Sequence, residues 1–208
     1  MKILVIGATG PTGRELVAQG IAAGHQITAA VRRPETAGLP SGVKTARVDV
    51  TDSESLAGAV AGQDAVISSL GSKLSRKPTT LFSDGTRNLV RAMRAANVRR
   101  LICITGIGAG DSKGHGGLLY DRIIQPLLLG EIYKDKTRQE SIIRECGLDW
   151  TVVRPGQLTN GAKSGQIRAL TDLTGFTVGK ISRADVATFI LGRLSDEKSF
   201  GCTYTISY

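Results

Sequence analysis

The chain has 208 residues, 41% hydrophobic and 22% charged, which is enough for one full-sized α/β core and short for two domains. A formal net charge of +9 with 4% aromatic residues favours an anionic small-molecule ligand over a polynucleotide, since base stacking needs aromatic side chains. Three cysteines and two histidines are too widely spaced for a zinc site or a redox pair. No apolar run approaches the ~20 residues that span a bilayer. We therefore expect a single cytoplasmic domain over 1–208, without a metal or a membrane partner.

An apolar strand predicted at 3–6 leads into the glycine-rich stretch Gly7-Ala8-Thr9-Gly10-Pro11-Thr12-Gly13, and a helix is predicted at 11–23. Glycines at the first, fourth and seventh positions of a strand-to-helix turn permit a tight turn, close approach of the backbone to a phosphate, and close helix packing. A pyrophosphate would lie on the free N–H groups of the helix N-terminus, where the helix dipole favours negative charge. The stretch therefore predicts a dinucleotide site.

The second predicted strand, 26–31, ends at Arg32 and Arg33. In a dinucleotide-binding sheet this strand end lies beside the adenosine ribose, where an acidic residue accepts from the 2′-hydroxyl and an arginine accommodates a 2′-phosphate. Arginines without an acidic residue at this edge predict NADP(H) rather than NAD, with one of the two arginines on the phosphate. The alternative is that both arginines belong to a solvated turn.

Asp49 follows the third predicted strand, 43–48, where its carboxylate would either accept from the adenine amino group or cap the helix predicted at 53–60. The sequence leaves both roles open. The fourth predicted strand, 64–69, ends at Leu70-Gly71-Ser72, where a glycine would let the backbone approach the cofactor.

A helix predicted at 79–96 precedes a fifth strand, 100–105, whose nearly continuous apolar run is typical of a strand buried on both faces. Thr105 ends this strand and is the first polar side chain expected to meet the nicotinamide or the substrate, because ligands bind at the carboxyl ends of parallel strands. The glycine-rich stretch 106–117 predicts a mobile rim loop over the cleft. The apolar stretch 118–129 is interpreted as core, with a lid or an oligomer contact as alternatives.

The remaining elements complete an alternating pattern. They are helices at 131–146 and at 183–194, the latter capped by Ser182, strands at 149–154, 166–170, 176–181 and 203–207, and a loop at 157–160. The pattern predicts an α/β fold of the Rossmann type, a doubly wound, mostly parallel sheet with helices on both faces. A small substrate-side region would be formed by 106–130 and 156–181.

Several motifs together resemble those of the atypical short-chain dehydrogenase/reductase, NAD(P)H-binding family, especially its biliverdin reductase B/flavin reductase-like and NmrA-like members. Besides the first glycine-rich stretch and the Asp49 turn, they are Val31-Arg32-Arg33-Pro34, Gly62-Gln63-Asp64-Ala65-Val66, Val153-Arg154-Pro155-Gly156 and Ile181-Ser182-Arg183-Ala184-Asp185-Val186-Ala187. The resemblance covers nearly the whole chain and implies NADPH binding. The residues it implies are Gly7, Thr9, Gly10, Pro11, Thr12 and Gly13 at the pyrophosphate, Arg32 and Arg33 at the 2′-phosphate, Asp49 and Val50 at adenine, Leu70, Gly71, Ser72 and Thr105 flanking the ribose and nicotinamide, and Pro155 and Gly156 beyond them.

The chain departs from that family at two places. Short-chain dehydrogenases use a Tyr-x-x-x-Lys pair to protonate the substrate, whereas Tyr133 and Lys136 are three residues apart and still share a helix face. The biliverdin reductase-like proteins also have a serine after the threonine that matches Thr105, where this chain has Gly106. Thr105, Tyr133 and Lys136 therefore remain the candidate catalytic residues, with Thr105 positioning the acceptor and the proton coming from solvent.

The sequence thus predicts an NADPH-dependent oxidoreductase that transfers hydride to a flavin, a quinone or a similar conjugated acceptor, since the cofactor supplies the difficult chemistry. The alternative is a non-catalytic NADP-sensing binding protein of NmrA-like type. The expected partner is a small-molecule acceptor rather than a nucleic acid, and the expected state is a monomer or a homodimer.

Overall fold

The computed structural model describes residues 1–118 and 120–208. Alternating strands and helices fill the described chain. The strands are β1 (Lys2–Ile6), β2 (Gln26–Val31), β3 (Lys44–Arg47), β4 (Ala65–Ser68), β5 (Arg100–Ile104), β6 (Asp149–Pro155), β7 (Gln157–Thr159), β8 (Arg168–Leu170), β9 (Lys180–Ser182) and β10 (Cys202–Ser207). The α-helices are α1 (Pro11–Ala22), α2 (Ser53–Val60), α3 (Leu81–Ala95), α4 (Gly130–Arg144) and α5 (Arg183–Leu191).

The main sheet has eight strands in the order β3-β2-β1-β4-β5-β6-β10-β8, and β7 pairs with β9 outside it. All neighbours in the main sheet run parallel except β8, which pairs antiparallel with β10. The strand order reverses between β1 and β4, and a doubly wound sheet opens its ligand crevice at such a point. The predicted Rossmann-type fold class is therefore confirmed.

Side chains of each central strand alternate between two hydrophobic clusters, one on each face of the sheet. In β1, Ile3 and Val5 join the cluster formed with α1 and α5, whereas Leu4 and Ile6 join the cluster formed with α2 and α3. Because both faces are covered, the central strands are predominantly apolar, as is typical of parallel strands. No helix in the described part of the chain has the length and apolar character needed to cross a bilayer.

The predicted helices and strands up to residue 154 are confirmed, with ends that move by one or two residues. Two predictions beyond that point are wrong. The predicted loop 157–160 contains β7, which is held by its pairing with β9. The predicted strand 176–181 is a strand only from Lys180, because the Val178 amide donates to the carbonyl of His115 instead of joining a ladder.

The stretch interpreted as core, 118–129, forms a π-helical segment over Tyr120–Leu129, with Pro126 inside it. The side chains of Leu118, Ile123 and Leu127 are 50% to 73% exposed, so the core interpretation is wrong for these three residues. Leu119, also part of that prediction, lies outside the described residues.

The glycine-rich stretch 106–117 is predicted to be a mobile rim loop, and in the structure its first half packs onto the fold. Ile107, Ala109 and Ser112 are buried, and Gly110–Ser112 forms a turn of 3-10 helix. The Gly110 amide also donates to the Thr137 hydroxyl at 3.0 Å, which joins the stretch to α4. The apolar and hydroxyl side chains between the glycines hold this half of the stretch against the fold.

Candidate functional site

A cleft of about 750 Å³ opens at the carboxyl ends of β1 to β5, where the strand order reverses. Most residues that the sequence assigns to a cofactor meet there although they are distant in sequence. Those that line the cleft are Gly7, Thr9, Gly10, Pro11, Thr12, Arg32, Asp49, Val50, Leu70, Gly71, Ser72 and Thr105. The sheet topology brings them together because every parallel strand in this region ends at the same edge.

Steric limits at the first turn explain two of its glycines. A Cβ on Gly7, whose φ is +76°, would lie 2.4 Å from the Ser69 carbonyl oxygen, and a Cβ on Gly13 would lie 2.1 Å from the Gly7 carbonyl oxygen. Gly13 therefore supports the turn from beneath without lining the cleft. The helix that follows begins with Pro11 and has no side-chain cap. The amides of Thr12 and Gly13 precede its first turn-closing hydrogen bond, in which the Arg14 amide donates to the Gly10 carbonyl at 2.9 Å. This end of the cleft fits a diphosphate.

The ends of β2 and β3 differ in charge. Arg32 lines the cleft, whereas Arg33 is exposed and lies outside it. Among the described residues that line the cleft, Asp49 is the one that carries a carboxylate. Its Oδ1 accepts hydrogen bonds from the amide and the hydroxyl of Thr51 at 3.0 and 2.7 Å. These two hydrogen bonds lower the pKa of Asp49. Asp52 caps α2, so helix capping is not the role of Asp49.

Thr105 lies at the opposite end of the cleft, where its hydroxyl and its carbonyl group both have hydrogen-bond partners. Its hydroxyl donates to Glu140 Oε1 at 2.7 Å, and its carbonyl oxygen accepts from Lys136 Nζ at 2.7 Å. Since a hydroxyl has a single proton, Thr105 Oγ1 can act toward a ligand only as an acceptor in this arrangement.

Lys136 is 9% exposed and lines the cleft, with Nζ 4.8 Å from the centroid of the Phe82 ring. Burial lowers the pKa of this lysine to about 8, against the opposing effect of the nearby charges of Glu140 and Asp135. The neighbouring Asp135 joins α4 to α3, because its Oδ2 accepts from the Phe82 amide at 2.8 Å. An ammonium group has three donors and Thr105 takes one, so among the described residues two remain available to a ligand.

Tyr133 lies one helical turn before Lys136 but does not line this cleft. A Cβ on Gly106 would lie 2.8 Å from Tyr133 Oη, so the tyrosine hydroxyl occupies the space that a larger side chain at position 106 would need. Gly106, at the position where the biliverdin reductase-like proteins have a serine, therefore leaves the space that the Tyr133 hydroxyl occupies. The structure brings Lys136 to Thr105 and places Tyr133 behind Gly106.

A buried ion-pair network supports Thr105 from below. Glu140 is fully buried and accepts from Arg154 Nε at 2.9 Å and Nη2 at 2.6 Å, and from Arg144 at 3.0 Å. Arg154 reaches on to Asp111, with its Nη1 2.5 Å from the carboxylate. Sequence reasoning missed Glu140; its four-residue spacing from Lys136 on one helix face is the signal that could have indicated it.

Two other predicted residues, Pro155 and Gly156, do not line the cleft. The Pro155 carbonyl accepts from the Ile107 amide, and a Cβ on Gly156 would lie 2.1 Å from the Gly179 carbonyl oxygen, so this glycine lets β7 and β9 approach each other. Other residues that the sequence did not assign to the site also line the cleft, among them Lys73, Leu158 and Arg183. Arg183 donates to Asn160 Oδ1 at 2.7 Å.

Comparisons with known proteins point to one family. The model of the NAD(P)H-binding family matches residues 7–197. A Bacillus subtilis protein named an uncharacterized sugar epimerase, YhfK, is 32% identical over 206 residues, covering 96% of this chain and 90% of its own.

Solved structures agree on the fold. The oxidoreductase ylbE from Lactococcus lactis is 26% identical with a TM-score of 0.84, covering 100% of this chain and 90% of its own. ChuY, an anaerobilin reductase from Escherichia coli O157:H7, is 22% identical with a TM-score of 0.83, covering 100% of this chain and 97% of its own. At that identity the likeness to ChuY speaks for the fold alone.

Proposed function

Because this chain belongs to the NAD(P)H-binding family, we propose that it is an NADPH-dependent oxidoreductase that transfers hydride to a flavin, a quinone or a similar conjugated acceptor. The observation that carries the proposal is a single cleft with two differently built ends. One end has the uncapped helix, the glycine turn and Arg32, and the other has Thr105 and the buried Lys136. A bound nicotinamide would supply the hydride, while the protein supplies position and electrostatics.

The charges that line the cleft favour a cofactor with an additional phosphate. Four cationic side chains line it, Arg32, Lys73, Lys136 and Arg183, against the single carboxylate of Asp49 among the described lining residues. Arg32 follows β2, where the ribose of the adenosine lies in dinucleotide-binding sheets. A 2′-phosphate at that position would form charge-assisted hydrogen bonds with the guanidinium.

The far end of the cleft suits a planar ring with polar groups at its edge. Ile104, Leu81 and Leu158 give the cleft apolar walls. Thr105 offers an acceptor and Lys136 offers donors, so together they can fix the orientation of a carboxamide or a hydroxyl. A conjugated acceptor delocalises the charge that hydride brings, so solvent can deliver the accompanying proton without a buried acid.

Cofactor titrations test the first half of the proposal. Arg32→Asp is expected to weaken NADPH binding by about 10- to 100-fold, the range for losing hydrogen bonds to a charged group, and to leave NADH binding nearly unchanged. Arg33→Asp is the matched control, because it makes the same charge change in the next, exposed residue outside the cleft. Equal losses in both variants would refute the role of Arg32.

Turnover tests the second half. Oxidation of NADPH is measured by absorbance with flavin mononucleotide, riboflavin and a panel of quinones as acceptors. Acceleration with members of this panel supports the reductase. Tight NADP binding without any acceleration, together with a protein partner recovered in only one redox state of the cofactor, would favour the NADP-sensing alternative.

A further inference from the structure

Large hydrophobic side chains are exposed together at one corner of the molecule. Among the described residues seven such side chains are exposed, and three of them, Leu118, Ile123 and Leu127, lie in or next to the π-helical segment. A fourth, Leu74, lies in the loop after β4. Arg76 of this loop and Leu127 line one cavity of about 550 Å³ beside α4, so the loop and the segment are neighbours. Exposed apolar clusters of this kind mark surfaces that make contacts with other molecules.

The exposed residues of the π-helical segment and the residue two positions before it share one face, which we call the ridge. The ridge consists of Leu118, Arg122, Ile123, Pro126 and Leu127. Their spacing of four and five residues matches one turn of a π-helix, in which hydrogen bonds join residues five apart. Gln125, between the ridge positions, is buried and donates to the Gly108 carbonyl at 3.0 Å, which fixes the inner side of the segment. The ridge is therefore the outer side of a segment that is attached to the fold.

Unpaired positive charge flanks the ridge. Arg122 belongs to it, and Arg76 and Lys113 line the cavity that Leu127 also lines. None of these three cationic side chains has an ion-pair partner among the described residues. Each of them is exposed, so its charge is available to a partner of the protein.

The neighbouring carboxylates do not offset these charges. Glu131 is paired with Lys134 at 2.6 Å, and the two charges cancel. Asp121 accepts from the Gly116 amide at 3.3 Å and is only partly exposed. The surface around the ridge thus combines aliphatic side chains with a net positive charge.

This combination fits the surface of a bilayer that contains anionic lipids. Segments that lie in the membrane interface place an apolar face among the headgroups, and nearby Lys and Arg side chains contact lipid phosphates. A second copy of the chain fits less well, because a two-fold contact would place Arg122 and the flanking cations against their own copies. Leucine is also under-represented among the residues that dominate binding between proteins. The observations therefore favour a lipid surface over a protein surface.

We propose that the ridge and its flanking cations bind this protein reversibly to the surface of bilayers that contain anionic lipids. The aliphatic side chains of the ridge would enter the headgroup region, while Arg76, Lys113 and Arg122 would contact lipid phosphates. The expectation of no membrane partner rests on the lack of an apolar run long enough to span a bilayer, and that lack does not bear on a surface contact. The inference goes beyond the proposed reductase function and does not depend on it.

Flotation with lipid vesicles tests the proposal. The full chain is mixed with vesicles of phosphatidylcholine, or of equal parts of phosphatidylcholine and phosphatidylglycerol, and the bound fraction is measured against lipid concentration. Three cations near the surface should make binding to the anionic vesicles on the order of 100-fold tighter at low salt, and added salt should weaken it. Equal binding to both kinds of vesicle, or no binding to either, would overturn the proposal.

A double variant with a matched control locates the contact. Arg122→Gln/Ile123→Ser removes one cation and one aliphatic side chain from the ridge, and neither residue lines the cofactor cleft. The control, Arg91→Gln/Ile21→Ser, makes the same changes at exposed positions on α3 and α1. Ile123 and Ile21 are 50% and 44% exposed, so the two apolar losses are comparable.

Affinity for the anionic vesicles should fall about 25-fold in the ridge variant, roughly fivefold for each change, and should change little in the control. Both variants should keep the thermal unfolding midpoint of the wild type, because the altered side chains are exposed. Losses of equal size in the two variants would show that overall charge and apolarity, not the ridge, determine binding, and would overturn the proposal.

Sedimentation velocity distinguishes a lipid surface from a second copy. We expect the wild type and the ridge variant to have the same oligomeric state in the absence of vesicles. A wild-type dimer that dissociates in the ridge variant, combined with no vesicle binding, would overturn the proposal and assign the ridge to a contact between copies of the chain.

Discussion

Two buried cations lie at opposite ends of β5, and their hydrogen bonds differ. Arg100 begins the strand, is 5% exposed and stacks over the Phe200 ring at 4.6 Å. Its guanidinium donates to the carbonyls of Leu194, Asp149 and Arg193 and to the hydroxyls of Thr151 and Ser199, at 2.7 to 3.1 Å. Lys136, at the other end, has one acceptor among the described residues, the Thr105 carbonyl.

The difference shows how a buried charge can be assigned to structure or to function. Burial lowers the pKa of Arg100 to about 10 and that of Lys136 to about 8. A buried cation is tolerated when its donors are used, and Arg100 uses them to hold the chain after α5 against the amino edge of the sheet. Lys136 keeps donors toward a cleft, so its remaining partner is expected to be a ligand.

The largest expected effect removes the satisfied cation. Arg100→Met leaves several buried carbonyl and hydroxyl groups without a donor, and should lower the free energy of unfolding by about 4 kcal/mol. Denaturant unfolding measures the loss. NADPH affinity of the folded variant should equal that of the wild type, because Arg100 lies at the edge opposite the cleft. A loss below about 1 kcal/mol would contradict the structural role of Arg100.

A substitution at Glu140 tests whether a buried charge near the cleft whose hydrogen bonds are all made within the protein also stabilises the fold. Glu140→Gln removes the charge that Arg154 and Arg144 share, and should lower the free energy of unfolding by about 3 kcal/mol. The control is Glu145→Gln, an exposed carboxylate on the same stretch of chain, for which no change is expected. Similar stability of the two variants would argue against the buried network.

The pH dependence sharpens the contrast at Lys136. Its pKa is about 8 in the folded protein and 10.5 in the unfolded chain, so between these values the unfolded state binds more protons and stability rises with pH. Wild type should therefore gain on the order of 2 kcal/mol relative to Lys136→Met across this window. Unfolding free energies of both proteins at pH values from below 8 to above 10 measure it. Parallel curves would mean that Lys136 titrates normally.

The smallest effect is expected where the network reaches the surface. Asp111 is exposed and pairs with Arg154, which keeps its bonds to Glu140 when Asp111 is changed. Asp111→Asn should lower stability by at most about 1 kcal/mol, the range for exposed ion pairs. Thermal unfolding in low and high salt checks this, and the small difference should shrink as salt screens the pair. A loss as large as that of Glu140→Gln would make Asp111 part of the buried network.

The fold and one end of the cleft could be predicted because their signals are local. The spacing of Gly7, Gly10 and Gly13, the arginine after β2 and the alternation of strands and helices each lie within a few residues. Sheet topology then fixes where the strand ends meet, so the lining by Arg32 and Thr105 follows from position alone.

The remaining features depend on contacts between distant segments. Glu140 accepts hydrogen bonds from Thr105 and Arg154. Tyr133 occupies the space beside Gly106. Arg183 reaches the cleft from a helix that begins far along the chain. The exposure of Ile123 and Leu127 was missed because an apolar run has the same composition in a core and on a surface.

Thermal unfolding of Lys136→Met with and without NADPH tests the central claim most directly, with the exposed Lys198→Met as its control. A buried lysine with spare donors should be dispensable for the fold and needed by the ligand. We predict that the variant without cofactor is at least as stable as wild type, and that NADPH, which should add about 2.7 kcal/mol to wild type at 100 times its Kd, adds much less to the variant. A variant that is destabilised without cofactor and still gains the full increment would show that Lys136 is structural, like Arg100.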